Sequence, residues 1–403
     1  MSESHARRDL NWLTPVGAWL AVVWLIGDLQ RAAASHWGTG PAWTPGSLLP
    51  FDLLAGTGRI RFDGYRYLEI ARTGYPSGQG YEAVFPGYPL LIRLLHGVGG
   101  GYSQAAVGIT LASGLASACL FWHWMGRKGL ALAERRLALA LFLLFPYGFV
   151  RYGVPYSDAL LVALVLGAVV LVEHDRPVLA GLVGALATFT RPNALPLIPA
   201  LVVMVLESRG ALTFPTVRPL RGMRFHRGLL RFRDAGVLLA FGGLLAYSAW
   251  VRDRSGDPLY FWHVQREWGH RPFTDPFNWL KANLIRNENV FVEPLDGVNE
   301  LLSFGIIAWA VAALTRLGRR FGWGYAVLTL GMVVTTWVTA VVFAPSGRYL
   351  LPAVPFLIAL AAPWMVRHRL WTIVAVVASV VWLVVLTAAF AGDGVSWINQ
   401  AAW

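Results

Sequence analysis

Long apolar runs, broken at intervals by arginines, recur from one end of the chain to the other. In hydrocarbon every backbone N–H and C=O must find its partner within the protein, so only helices and closed barrels cross a bilayer. Each helical crossing takes about 20 predominantly apolar residues. Of the 403 residues, 56% are hydrophobic and only 14% charged, against about 25% charged in a soluble domain. With a mean hydropathy of +0.52, the sequence predicts an all-α polytopic membrane protein formed as one integral-membrane domain over residues 1–403.

The charges between the runs predict how the chain threads. Residues 12–34 form a first apolar run behind Arg7 and Arg8. A cleavable leader is the other reading of that pattern, but Asp28 interrupts it and further runs follow. An uncleaved helix with a cytoplasmic N-terminus is therefore expected. Runs at 102–125, 137–149, 159–172, 178–189, 194–206, 235–251, 301–314, 325–343, 350–364 and 371–390 bring the expected count to about eleven crossings. Residues 207–233 hold seven arginines and no lysine, the strongest cytoplasmic marker in the chain. Residues 35–88 and 252–300 are then external loops, and most carboxylates, among them Glu69, Glu267 and Asp275, fall on the outer side with them.

The formal charge of +12 is accounted for by those arginines and their contacts with anionic lipid head groups; nucleic acid is not an expected partner. The lone Cys119 excludes an intramolecular disulfide and a thiolate metal site. No HExxH, CxxC or DxD pattern is present, nor a Walker loop or a GxGxxG, so neither a catalytic metal nor a nucleotide cofactor is expected.

The first external loop is the most informative stretch. Asp63 opens a helical pattern in which Tyr65, Leu68, Arg72 and Tyr75 share one face and Arg66, Glu69 and Thr73 the other. This reads as a short amphipathic helix in the membrane interface. An Asp before Gly64 is a ready helix N-cap; it is equally placed to take a proton from a substrate hydroxyl at the mouth of a membrane bundle. Glu82 follows on the same loop and is expected to be exposed there, either contacting an acceptor or solvating its loop. Arg191, before Pro192, and Arg348, after Gly347, stand at outer helix ends. An arginine at the membrane edge is a functional candidate, and its planar fork matches phosphate. A snorkelling or carboxylate-paired role, such as Arg348 with Asp158, is the structural alternative. Asp158 can cap the helix that begins beside it, or support an acceptor together with Arg66, Tyr349 and His263.

The chain resembles the PIG-V-like mannosyltransferases, the family of the second mannosyltransferase of GPI-anchor synthesis and its bacterial homologues, within the GT-C class. The resemblance rests on ordered segments: FDGYRYLEIARTGY (62–75), FPGYPLLIRLL (85–95), PYSDALLVAL (155–164), AGLVGALATFTRPNALPL (180–197), GDPLYFWHVQREWG (256–269) and GRYLLPAVPFLIALA (347–361). It implies a GT-C bundle that takes mannose from a polyprenyl-phosphate or dolichyl-phosphate carrier. It also implies a catalytic acid in the first external loop, which falls on Asp63. Where the family usually shows Trp-Asp this chain has Phe62-Asp63, so the aromatic ring is kept and the indole donor is lost.

Together these readings lead to an inverting, metal-independent hexosyltransferase in the cell membrane with an extracytoplasmic site. Arg348 and Arg191 hold the donor phosphate, Asp63 is the base, and the acceptor is a lipid or glycan. The rival is a transporter or flippase for a lipid-linked sugar or lipid, since broken helices carrying Pro and Arg also mark transporters. A lipid-binding scaffold is a third, non-catalytic reading.

Overall fold

A computed structural model of the chain describes residues 12–37, 59–76, 80–213, 224–264, 294–339 and 346–392. Arg7 and Arg8, residues 38–58 of the first loop, Arg218, Arg221, Glu267, His270 and Asp275 lie outside the described residues.

The described chain is mostly helical. In order come α1 (Leu13–Trp37), α2 (Asp63–Thr73), α3 (Gly87–His96), α4 (Tyr102–Arg127), α5 (Leu132–Leu143), α6 (Asp158–Glu173), α7 (Pro177–Thr190) and α8 (Leu197–Ser208). A two-residue antiparallel ladder follows, β1 (Leu212–Thr213) on β2 (Arg224–Phe225), the one departure from all-α among the described residues. Then come a 3-10 stretch (Phe232–Phe241), α9 (Gly242–Ser255), α10 (Tyr260–His263), α11 (Pro294–Phe321), α12 (Trp323–Thr339), α13 (Ser346–Tyr349), α14 (Val354–Arg367) and α15 (Arg369–Ala391).

Among the described residues, five segments are long and apolar enough to cross a membrane: Leu13–Trp37, Tyr102–Arg127, Phe232–Ser255, Leu301–Phe321 and Arg369–Ala391. Their length and apolarity make this a membrane protein. Shorter apolar helices lie at Pro177–Thr190, Pro192–Ser208 and Val354–Arg367. Two expected runs are also short: 159–172 lies in α6, which has 16 residues, and 137–149 divides between α5 and a 3-10 turn (Pro146–Arg151).

The chain divides into two compact units. The first comprises Met1–Arg72, Leu91–Ala163 and Ile358–Ala402. Here α15 packs on α1 and on the 3-10 turn 146–151, and α1 packs on α4. Gly114 of α4 admits the Trp19 ring of α1, which would lie 2.1 Å from a Cβ there. The same ring stacks on Tyr152 at 5.0 Å. Arg151 and Tyr152, both fully buried, donate to the carbonyls of Phe142 and Leu143. They supply the partners that the end of α5 lacks. Arg59, also buried, donates to Gln30 of α1 at 2.8 Å.

The second unit comprises Thr73–Leu90 and Leu164–Leu357, with Trp403. Its α7 lies against the 3-10 stretch 232–241 and α9 so closely that a Cβ at Gly181 or Gly243 would meet a backbone carbonyl oxygen at 1.9 Å. Small residues at the interface allow that approach. Helix α12 packs on α8 and α11. Its first N–H groups, of Trp323 and Gly324, donate to Glu207 at 2.8 and 3.0 Å, while the Tyr325 hydroxyl donates to Glu173 at 2.6 Å. Arg209 pairs with Asp234 at 2.6 Å and with Asp175 at 2.5 Å, and Arg233 also pairs with Asp175. Part of the arginine-rich segment 207–233 therefore clasps its own unit.

Candidate active-site residues

In the first unit the structure assembles the segments around Asp63 and Asp158. Asp63 is the first residue of α2, so Phe62 occupies the flanking position where an N-cap was expected at Asp63. Phe62 has φ +43, a left-handed backbone that costs a bulky residue on the order of 1–3 kcal/mol. It is held by a turn in which Gly64 N–H donates to Arg61 C=O at 2.8 Å and Tyr65 N–H to Phe62 C=O at 3.0 Å. The Phe62 ring packs on Phe390 at 5.8 Å, and Tyr156 meets the same ring edge-on at 5.8 Å. Phe390 thus carries both the Phe62–Asp63 corner and the Tyr156–Ser157–Asp158 corner.

Two further contacts lock the corners together. The Tyr67 hydroxyl and the Ser157 hydroxyl share a buried hydrogen bond of 2.7 Å. Gly64 lies so close to Pro155 that an added Cβ would sit 3.0 Å from the proline ring. At the far end of α2, Arg93 donates to the carbonyls of Ala71 and Ile70 at 2.7 and 3.3 Å, supplying donors to a helix end that lacks them. Packing on the 155–157 turn sets the rotation of α2. Tyr67, Leu68, Ile70 and Ala71 are buried, while Tyr65 and Arg72 are exposed. Tyr75 is on neither face, because Gly74 at φ +86 follows the end of the helix.

Asp158, the first residue of α6, is buried, whereas the Asp63 side chain keeps 27% of its surface. Arg66, one helical turn on, stands 3.7 Å from Asp63. A part-exposed pair at that distance contributes little stability, but it sets a cation beside the carboxylate. Of Asp63 and Asp158, Asp63 is the accessible carboxylate, on a backbone fixed at both ends.

In the second unit Arg191 and Arg348, 157 positions apart in sequence, converge on one ring. Arg191 ends α7 in an extended conformation, φ −155, and turns into a short 3-10 segment, Pro192–Ala194. Arg348 lies on α13. Both segments are set against α12. The guanidinium carbons of Arg191 and Arg348 lie 5.7 and 5.2 Å from the centre of the Tyr349 ring. Arg348 is only 3% exposed. Thr190, just before Arg191, is gripped by Gly87 of the FPGYP segment, where a Cβ would meet the Thr190 Oγ1 at 2.6 Å. A guanidinium group is of the kind that binds an oxyanion such as a phosphate.

Glu82 and His263 also belong to this unit. Glu82, buried, sits on a 3-10 turn (Tyr81–Ala83) against which α10 packs. His263 Nδ1 lies 2.5 Å from an Asp257 carboxylate oxygen. Asp257 is held below the ordinary carboxylate value by the Leu259 N–H bond first and by His263 second. Among the described residues no cluster of three or more His, Cys, Asp or Glu side chains is placed to hold a metal ion. Sequence reading did not single out Tyr67, Ser157, Gly64, Gly87 or Phe390, the residues that position the candidates. Gly64, inside the first turn of a predicted helix, is the one local signal of close packing.

No protein-family model and no curated protein matches the chain. Solved structures with some likeness include ArnT from Cupriavidus metallidurans in the apo state, at TM-score 0.49 and 19% identity, covering 80% of this chain and 58% of that one. The Archaeoglobus fulgidus oligosaccharyltransferase in complex with zinc and sulfate gives TM-score 0.47 and 13% identity, over 93% of this chain and 53% of that one. The oligosaccharyltransferase AglB from Archaeoglobus fulgidus, in complex with an inhibitory peptide and a dolichol-phosphate, gives 0.41 and 12%, over 93% and 55%. The chain spans little more than half the length of these proteins. At these scores no shared fold is established.

Proposed function

We propose that this protein is a GT-C-type membrane glycosyltransferase with about eleven crossings and its N-terminus in the cytoplasm. It moves a hexose from a polyprenyl-phosphate-sugar donor to a lipid or glycan acceptor on the extracytoplasmic side. The observation that carries the reading is the convergence of Arg191 and Arg348 on Tyr349. In the proposed reaction these guanidinium groups bind the donor phosphate and stabilise the charge that grows on it as the glycosidic C–O bond breaks. Asp63 accepts the proton of the attacking acceptor hydroxyl; attack from the face opposite the departing phosphate inverts the anomeric carbon. The fixed corner at Phe62 and the Tyr67–Ser157 bond support that role for Asp63, since a general base must be held in place. Arg66 supports Asp63; Asp158 and Glu82 orient the acceptor or the neighbours of Asp63, and His263 and Tyr349 are further supporting residues. No metal or other cofactor takes part. Mannose is proposed as the sugar on the resemblance of the ordered segments to the PIG-V-like family.

The test is transfer from radiolabelled polyprenyl-phosphate-mannose by protein reconstituted in nanodiscs, with a total membrane-lipid extract as acceptor and EDTA present. A labelled product larger or more polar than the donor is expected. If label instead crosses a sealed vesicle membrane with the donor intact, the protein is a flippase.

A further inference from the structure

Residues 224–233, RFHRGLLRFR, are pinned at both ends and open between them. Arg224 and Phe225 form β2 against Thr213 and Leu212, and the His226 N–H donates to the Ala211 carbonyl at 2.8 Å. A 3-10 turn (Arg227–Leu229) follows. At the far end the Arg231 N–H donates to buried Asp234 at 2.8 Å, and Arg209 holds the same carboxylate. Between these anchors most of the side chains are exposed. Phe232 is 98% exposed, and Phe225 and Leu229 each keep more than half of their surface. Apolar side chains grouped on a surface in this way mark a contact. Arg224, Arg227 and Arg231 are exposed as well. Among the described residues no carboxylate pairs with them, because Asp175 and Asp234 are taken by Arg209 and Arg233.

Cations interleaved with exposed Phe and Leu need a partner that is anionic and apolar at once. Phe225, Arg227 and Leu229 line one shallow recess together with His226 and Gly228. Phe232 opens the segment Phe232–Ser255, which is long and apolar enough to cross a membrane. The stretch therefore stands at the level where head groups meet acyl chains. An acidic protein surface would meet the arginines alone, whereas the edge of a bilayer meets both kinds of side chain. Lipid phosphates match the guanidinium fork, Phe and Leu enter the acyl boundary, and an anionic leaflet attracts basic segments beside a span. We infer that residues 224–232 form a docking site for an anionic phospholipid leaflet. Arg224, Arg227 and Arg231 bind lipid phosphates, and Phe225, Leu229 and Phe232 enter the acyl boundary. The site lies within the second unit and takes no part in the proposed transfer.

Lipid quenching at one position tests it. Gly228 accepts a reporter, since a Cβ there meets nothing within 4 Å. The full chain carrying Cys119→Ala and Gly228→Cys is labelled with bimane in nanodiscs of three parts phosphatidylcholine to one of phosphatidylglycerol. One lipid or the other carries a doxyl quencher just below its head group, at equal mole fraction. The expected result is quenching by both lipids, at least about threefold stronger for phosphatidylglycerol, as befits three basic residues at an anionic surface. High salt should reduce that preference. Arg224→Gln/Arg227→Gln/Arg231→Gln should level the two lipids. Phe225→Ser/Leu229→Ser/Phe232→Ser should lower quenching by both at least about threefold, by lifting the segment out of the acyl boundary. Equal quenching by the two lipids in the parent protein overturns the site, as does a preference that is indifferent to salt or survives in the glutamine variant. Quenching undiminished in the serine variant overturns it too. An absence of quenching by either lipid also overturns it, and leaves an acidic protein as the partner. The salt series needs no further substitution, so a variant that fails to fold leaves the test intact.

Discussion

Arg191 and Arg348 lie over the same aromatic ring, their guanidinium carbons 5.7 and 5.2 Å from the centre of Tyr349. Replacing either by Lys keeps the charge and removes the planar fork. Arg348→Lys and Arg191→Lys should each raise the donor KM on the order of tenfold or more, the scale of about 1.4 kcal/mol, with little change in acceptor KM. Steady-state kinetics with donor and acceptor varied separately checks this. An unchanged donor KM in both variants would place the phosphate elsewhere.

Gly87 leaves no room for a side chain, because a Cβ would meet Thr190 Oγ1 at 2.6 Å and Thr190 Cα at 2.9 Å. Gly87→Ala should destabilise by about 1–3 kcal/mol through overpacking. It should also weaken donor binding, since Thr190 precedes Arg191. A thermal-melt series in detergent, run beside donor titrations, reads both effects.

Tyr67 and Ser157 share a buried hydrogen bond. Tyr67→Phe and Ser157→Ala should each lower stability by about 0.5–1.5 kcal/mol, and the double variant should cost less than the two added together. A double-mutant cycle on thermal midpoints and kcat measures the coupling. Strict additivity would mean that the two hydroxyls do not act on one another.

The clasp around Asp175 predicts an acid response. The Arg209 hydrogen bond, followed by the Arg209 and Arg233 charges, holds Asp175 below its ordinary value of 3.8. A carboxyl depressed in the folded state stabilises it above the unfolded pKa, and that contribution is lost as the pH falls through the folded pKa. The hydrogen-exchange protection factor of the 174–176 turn, corrected for the intrinsic pH dependence of exchange, should therefore be constant near neutral pH and fall only as the pH drops below about 4, into the depressed range. Asp175→Asn should abolish the dependence.

What could be read from the sequence follows the reach of each signal. Helical class and membrane placement are carried by runs of apolar residues, and the five long apolar segments agree with them. Periodicity did not say which face of α2 turns inward, because Pro155 and Ser157, about 90 positions away, set its rotation, and Tyr75, counted on the helix, falls past Gly74. Arg191 and Arg348 were each recognisable as membrane-edge arginines, yet nothing local states that they meet at Tyr349. Glu82 was expected to be exposed and is buried instead, because its turn lies beside Tyr247 and a cluster with Phe85 and Phe261 that packing brings together. Asp63 was visible as an acid at a helix start, whereas the left-handed Phe62 that fixes it emerges only from the backbone.

The most direct measurement of the central claim compares wild type with Asp63→Asn in nanodiscs, using radiolabelled polyprenyl-phosphate-mannose and a membrane-lipid extract. The substitution keeps the size of the side chain and removes its capacity to take a proton. The account predicts product in the wild type, a loss of at least about a hundredfold in kcat for Asp63→Asn, in line with removal of a general base, and an unchanged donor Kd. Equal rates in the two proteins would contradict it, leaving Asp63 as a helix-starting residue.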